Sequence, residues 1–527
     1  MVPAGKTVEQ KVSAFLGQTG AWFYQNRWVL LIVMAAAMIL YYPVYAFGLE
    51  NLDSFCTSEP YVADLWEQIP YWETQQGRWA LRLFDGLTDG VHAAVPAAFA
   101  TAFFFAWAGV LLCDLLQIRH FALRTASVLL LVCSQYVQNL QSYRYCKAAY
   151  AFSFLLAVLA VVAVVKLPGI RGILLGAVSL MFAVALYQSS LGVGAALCVL
   201  VLIRRLLRPG EPLQESLLCL GRMLLMGILA MAGYLVVLNV LLAVYQVSLS
   251  EINGISQVGV QSLQQIPLGI RQAYQDFYEY FAGRTIAQNY FKIRPAYGLL
   301  FALTAAGGVW AVWKNRACRA ANICVVILLA LLPLAANITD VINPNSQILL
   351  RMAGGMALIP IFCLALAGML PGRSVAYSAV VLAALFLLRG YILQSNNDII
   401  VQKEDKLQAL SIAEQIADDV LDHEEYQNGM PVVILGRPSD STYGLPAAQN
   451  RDKANPLIQW GIFWLDTQQN MDTWARLFQE DLGLTMHWCD YETAKEIHGS
   501  SAYQEMPLYP NLGSVAVLDE TLVVKVS

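Results

Sequence analysis

Between Leu49 and Gly90 the chain sets Asp53, Glu59, Asp64, Glu67, Glu73, Asp85 and Asp89 beside Arg78 and Arg82. Trp66, Tyr71, Trp72 and Trp79 sit among them. Carboxylates take up protons, and aromatic rings stack on sugars or settle at the headgroup level of a bilayer. A plain connector between two apolar segments needs neither. Chemistry on a polar substrate that rides on a lipid needs both.

The elements around this stretch are those of a membrane. Of 527 residues, 58% are apolar and 13% charged, about half the charged share of a soluble domain. The apolar residues run in stretches of roughly 20, long enough to cross a bilayer. Net charge is −4, so no strongly basic face calls for a nucleic-acid partner. Ten cysteines are scattered without a CxxC pair, and Cys113, Cys198, Cys324 and Cys363 lie inside apolar runs, where they serve as small apolar residues. Cys56, Cys146 and Cys489 fall outside those runs; a Cys56–Cys146 disulfide is open to the chain if its compartment is oxidising. The five histidines, His92, His120, His423, His487 and His498, show no ligand spacing, so no metal ligand is assigned. Residues 1–27 read as a surface helix leading into a retained first span, with Trp22, Phe23, Tyr24 and Trp28 at the interface.

The pattern predicts an α-helical polytopic membrane protein with about eleven spans, near 28–48, 91–116, 122–140, 146–166, 170–187, 189–207, 221–245, 296–313, 319–336, 349–370 and 374–393. Every second connection is basic: Arg119 and Arg124, Lys166 and Arg171, Arg204, Arg205, Arg208 and Arg222, Lys314, Arg316 and Arg319, then Arg373. That side is predicted cytoplasmic, with the N-terminus inside and the 49–90 loop outside. The other outward connections carry Arg144 and Lys147, a tight corner at Tyr187-Gln188-Ser189, an amphipathic interfacial helix with Asp276 and Glu279, and Asp340 ahead of Arg351. Residues 1–394 form the membrane domain. Residues 395–527 change character: DIIVQKEDKLQALSIAEQIADDVLDH and MDTWARLFQEDLG repeat at helical spacing, PVVILG reads as a buried strand and SVAVLDETLVVKV as two strands about a turn. This predicts a small extracytoplasmic α/β domain.

No P-loop, no GxGxxG after a strand and no DxD in the soluble domain occur. An enzyme working outside without nucleotides needs a donor already activated there, and a lipid-linked phosphosugar meets that need. An acid after the first span (Asp53), Gly77-Arg78-Trp79 in the same loop, and Tyr187-Gln188-Ser189 at an outer corner together resemble the bacterial GtrII-type glucosyltransferases, of the polytopic GT-C class, over roughly residues 25–395. In that pattern two adjacent acids often follow the first span; here Ser54 follows Asp53.

The resemblance implies a GT-C-like fold, a polyprenyl-phosphate sugar donor, a glycan or glycolipid acceptor, and a carboxylate base in the first outward loop. That role falls on Asp53, with Glu59 and Asp64 next. The leaving phosphate would draw on Arg144, Lys147 and Arg351, the arginines ahead because of their planar fork, and on Arg78; Tyr187 and Gln188 would bind sugar hydroxyls. A divalent cation, Mg or Mn, is left open, since some GT-C enzymes use one. Plainer roles stand beside these. Asp53 could cap a helix, Glu59 ahead of Pro60 could start one, the cations could snorkel, Arg78 could pair with Glu73, and Tyr187 and Gln188 could satisfy the corner's backbone. A flippase for the same lipid is the alternative function; it predicts charges within spans and broken helices, and Asp114 is the one notable such charge. A non-catalytic scaffold would leave the acidic loop unexplained.

Overall fold

The computed structural model describes residues 8–52, 71–85, 93–208, 210–251, 260–314, 319–344, 348–370, 375–438, 450–459, 461–463 and 467–527. Asp53, Glu59, Asp64 and Cys56 lie outside them, and so does the Cys56–Cys146 pairing. The long helices are α1 Val8–Leu40, α2 Ala94–Leu115, α3 Phe121–Val132, α4 Gln135–Gln141, α5 Lys147–Lys166, α6 Gly169–Leu186, α7 Ser190–Leu206, α8 Leu213–Tyr245, α9 Val260–Ala282, α10 Ile293–Lys314, α11 Arg319–Ala336, α12 Gly354–Ala367 and α13 Val375–Leu421.

Among the described residues seven helices are long and apolar enough to span a bilayer: α1 over Leu16–Leu40, α2, α5, α6, α8, α11 and α13. The count is eight if α3 and α4, bent by 49°, make one broken span. Helices α7, α10 and α12 occupy three more of the expected positions without joining that count; α7 has only 17 residues. The α3–α4 break follows from sequence. Ser134 caps the second half through Val137 N at 3.3 Å, and the apolar run gives way to Gln135, Gln138, Asn139 and Gln141, all buried. The amides bond out of the helix, Gln135 Oε1 accepting from Gln288 N at 2.9 Å.

Helix α5 is the axis of the bundle. Phe154, Leu155, Ala157, Val158, Val161 and Val164 are wholly buried against α2, α6 and α7. The opposite situation holds for Leu224, Ile228 and Val236 on α8, Ile323 and Val326 on α11 and Leu382 on α13, which are exposed, the face a helix turns to lipid.

Two of the basic connections, with Arg124 and Arg204, meet at the end of α2. Arg124 Nη1 meets Asp114 Oδ1 at 2.9 Å, Trp22 Nε1 donates to Asp114 Oδ2 at 2.7 Å, and Arg204 Nε donates to Leu116 O at 3.2 Å. Asp114 is thus a clasp between α1, α2 and α3 at the foot of the bundle. It gives no support to a charge placed for transport.

Helix α13 runs unbroken through residue 395, where composition changes. No Gly or Pro interrupts it from Tyr391 to Leu421. Its second half buries Ile412, Ile416 and Val420 with Trp474 and Phe478 in a separate core. That core backs a three-stranded sheet in the order β1–β3–β2: β1 Val432–Leu435 parallel to β3 Thr521–Lys525, and β2 Val515–Leu518 antiparallel to it. Asp519 and Glu520, at φ +46 and +60, make the two-residue turn between β2 and β3, with the left-handed geometry that hairpins favour. The C-terminal unit sits on the bundle through Gln394 Nε2 to Lys453 O at 2.7 Å, Lys406 Nζ to Gly48 O at 3.4 Å, and Arg476, from the end of α14 Thr467–Arg476, to Glu50 at 3.0 Å.

Candidate active site

The end of the bundle opposite the Asp114 clasp is built on the corner before α5. Tyr143, Tyr145 and Cys146 lead into its first turn, with Lys147 and Tyr150 following. Three groups of side chains meet there.

The first is Gly77-Arg78, ahead of the short helix Trp79–Asp85. Tyr234 OH donates to Gly77 O at 2.8 Å, and Gln188 Nε2 donates to Gln76 O. Arg78 then reaches back: Nε donates to Gln188 Oε1 at 3.3 Å and Nη1 to Tyr150 OH at 3.0 Å. The Tyr150 and Tyr187 rings stack at 4.0 Å, and the guanidinium lies 5.5 Å from the Tyr187 centroid. Among the described residues Arg78 therefore turns to Gln188 and Tyr150, not to the Glu73 side chain. Gln188 holds protein backbone and Arg78 together.

The second is Arg351, in the 3-10 turn Leu350–Met352. It donates to Tyr143 OH with its guanidinium 5.0 Å over that ring. Burial pushes the Tyr187 phenol above its ordinary value, while Arg351 and Arg78 oppose that shift, so both cations act on one tyrosine.

The third is Glu50, buried where the first span ends. Its Oε1 accepts from Arg144 Nη1 and from Arg476 Nη2, each at 3.0 Å. Lys147 is buried too, with Glu50 as the carboxylate that offsets its burial. Asn51 N donates to Ser142 O at 3.1 Å, tying the chain just ahead of Asp53 to the same corner.

So Arg78, Arg144, Lys147, Tyr187, Gln188 and Arg351 all lie around residues 143–150. Sequence reasoning passed over Glu50, Tyr143, Tyr150 and Arg476. A carboxylate at the end of an apolar run was the one signal Glu50 offered. Cations and phenols around a stacked ring pair can bind a phosphate and hydroxyl-rich groups. Among the described residues no group of three or more His, Cys, Asp or Glu could hold a metal.

Gly77 is required twice over. Its φ is +74, and a Cβ would stand 2.6 Å from Tyr234 OH and 2.9 Å from Gln188 Nε2. Gly77→Ala should lower kcat/KM about 10- to 100-fold, the effect of displacing Arg78 by roughly 1 Å. An activity assay on protein with an unchanged gel-filtration profile checks it.

A second acidic pair lies where α9 crosses the short helix Ile338–Ile342. Gln272 Nε2 donates to both Asp276 oxygens, at 2.9 and 3.0 Å, and Asn337 Nδ2 donates to Ala273 O at 2.9 Å. Burial first, then the charge of Asp276, pushes the Asp340 carboxyl up to about 8; burial raises Asp276 as well. The folded protein thus holds a proton that the unfolded chain releases above about pH 4. Stability is greatest below that pH and falls as pH rises toward 8. Asp340→Asn should remove this loss and melt higher than the parent at pH 8, by on the order of 2 kcal/mol, with the difference vanishing near pH 4. Thermal unfolding across that range reads it.

The family profile Glucosyl transferase GtrII matches residues 56–362, more than half of the chain. The match takes in Glu59, Asp64, Arg78, Arg144, Lys147, Tyr187, Gln188 and Arg351; Glu50, Asp53 and the C-terminal unit lie outside it. No curated protein and no solved structure matches the chain. The chain belongs to the GtrII glucosyl transferase family, and with its apolar helices it is a membrane glycosyltransferase.

Proposed function

We propose that the protein moves a hexose, glucose by its family, from a polyprenyl-phosphate donor to a cell-surface glycan or glycolipid on the outer face of the cell membrane. The fold is GT-C-like with about eleven spans, the N-terminus cytoplasmic and the C-terminal unit outside, a topology the distribution of Lys and Arg supports. Asp53 takes the proton of the acceptor hydroxyl as that oxygen attacks the anomeric carbon, and a single displacement inverts the configuration. Glu59 and Asp64 are the next candidates for this role. Arg78, Arg144, Lys147 and Arg351 meet the charge that grows on the leaving phosphate, while Tyr187 and Gln188 orient the sugar.

The observation that carries this reading is the gathering of those cations and tyrosines at one end of the bundle, away from the basic connections. A lipid-borne phosphate at an interface would meet them there. The test is purified protein in liposomes with polyprenyl-phosphate glucose and a glycolipid acceptor. A new glycosidic bond of inverted configuration is expected. Movement of the lipid across the bilayer with no new bond would replace the reading with the flippase.

A further inference from the structure

We infer that Glu50 and Arg476 are positioning residues: together they set the Arg144 guanidinium for the donor phosphate, so the C-terminal unit completes the donor site. This rests on the donor reading above. Of the three side chains, Glu50 is 2% and Arg476 1% exposed, whereas Arg144 is 30% exposed. Only Arg144 reaches accessible space; the other two stand behind it. Both guanidinium groups meet the same oxygen, Oε1, at 3.0 Å, so that oxygen is occupied by two donors and Glu50 serves as an anchor between them. Arg476 is itself held by Glu480, Nε to Oε1 at 3.0 Å and Nη2 to Oε2 at 3.2 Å, so the anchor is braced from the sheet-bearing unit.

An arginine tied to a fixed carboxylate loses rotamer freedom before the donor arrives, and less is lost on binding. The family match ends at residue 362, so Arg476 is a contribution of this chain's own C-terminal unit.

The experiment measures KM for polyprenyl-phosphate glucose and for the acceptor in full-length variants. Glu50→Gln and Arg476→Met should each raise the donor KM about tenfold and leave the acceptor KM unchanged. A purely structural role would lower the amount of active enzyme and move neither KM. Should the single variants fold poorly, Glu50→Gln/Arg476→Met removes both members of the buried pair, leaves no unpaired charge at position 476, and should melt above Glu50→Gln alone. Its donor KM should stay raised; return of that KM with stability would overturn the inference. In an Arg144→Gln background Arg476→Met, which leaves Glu50 beside Lys147, should add nothing further, and losses that multiply would also overturn it. If Arg144→Gln leaves the donor KM unchanged while Asp53→Asn stops transfer, the positioning role fails and the transfer reading stands. If no variant transfers and the parent does not either, the donor reading itself fails.

Discussion

Asp53→Asn is expected to lower kcat for transfer from a lipid-linked hexose by ~10²–10⁴-fold, the usual contribution of a general base. Donor binding and melting should stay near those of the parent, because Asn keeps the volume and the hydrogen-bonding capacity of the side chain. The expectation rests on position. Asp53 follows Glu50 by three residues, and Glu50 and Asn51 are both tied to the 142–144 corner. On the proposed function, a carboxylate supplied from there would meet the acceptor beside the cations that would receive the phosphate. A plain helix cap would give a different result: Asn caps a helix about as well as Asp, so both rate and melting would stay at the parent values. Full transfer by Asp53→Asn would move the role to Glu59 or Asp64, each tested by the same substitution to the amide.

Arg78→Met is expected to cost ~10²–10³-fold in kcat/KM, the range seen when one preorganised donor to a developing charge is removed. Arg78 is tied through Nε and Nη1, and among the described residues neither bond uses Nη2. That nitrogen can face a phosphate while the other two fix the plane. Arg78→Lys should recover little of the loss, since an ammonium cannot hold Gln188 and Tyr150 and still offer a third donor in the same plane. A lysine variant at the parent rate would mean that Arg78 acts only as a diffuse charge. Tyr150→Phe is the control: it removes one tie and should cost less than Arg78→Met.

Local pattern made much of this molecule readable. Hydropathy located the apolar helices, and the strands Val432–Leu435, Val515–Leu518 and Thr521–Lys525 fall where short β-rich runs were read. Among the described residues two of the basic connections meet, Arg124 on Asp114 and Arg204 on Leu116 O, both at the end of α2. Other features had no local trace. Arg476 meets Glu50 across 426 positions, and nothing on an amphipathic soluble helix distinguishes that arginine. Asp276 and Asp340 belong to different helices and become a pair only when α9 packs on Ile338–Ile342. Past the change of composition at 395 the helix stays with the bundle core to Ile399 and joins the sheet-backed core from Ala409, and it continues because nothing in it stops the backbone. Tyr143 and Tyr150 read as ordinary interfacial aromatics; only the stacking of Tyr150 on Tyr187 and the arginines above them give them a part in the site.

The order of the sheet has a consequence for biosynthesis. Its middle strand, β3, is the last of the three to leave the ribosome, and β1 and β2 have no partner in the sheet until it arrives. By then every bundle helix has been made. A parallel pairing over so long a separation is slow to form. The unit that carries Arg476 therefore closes over Glu50 as a late event, so an immature chain in the translocation machinery lacks that contact.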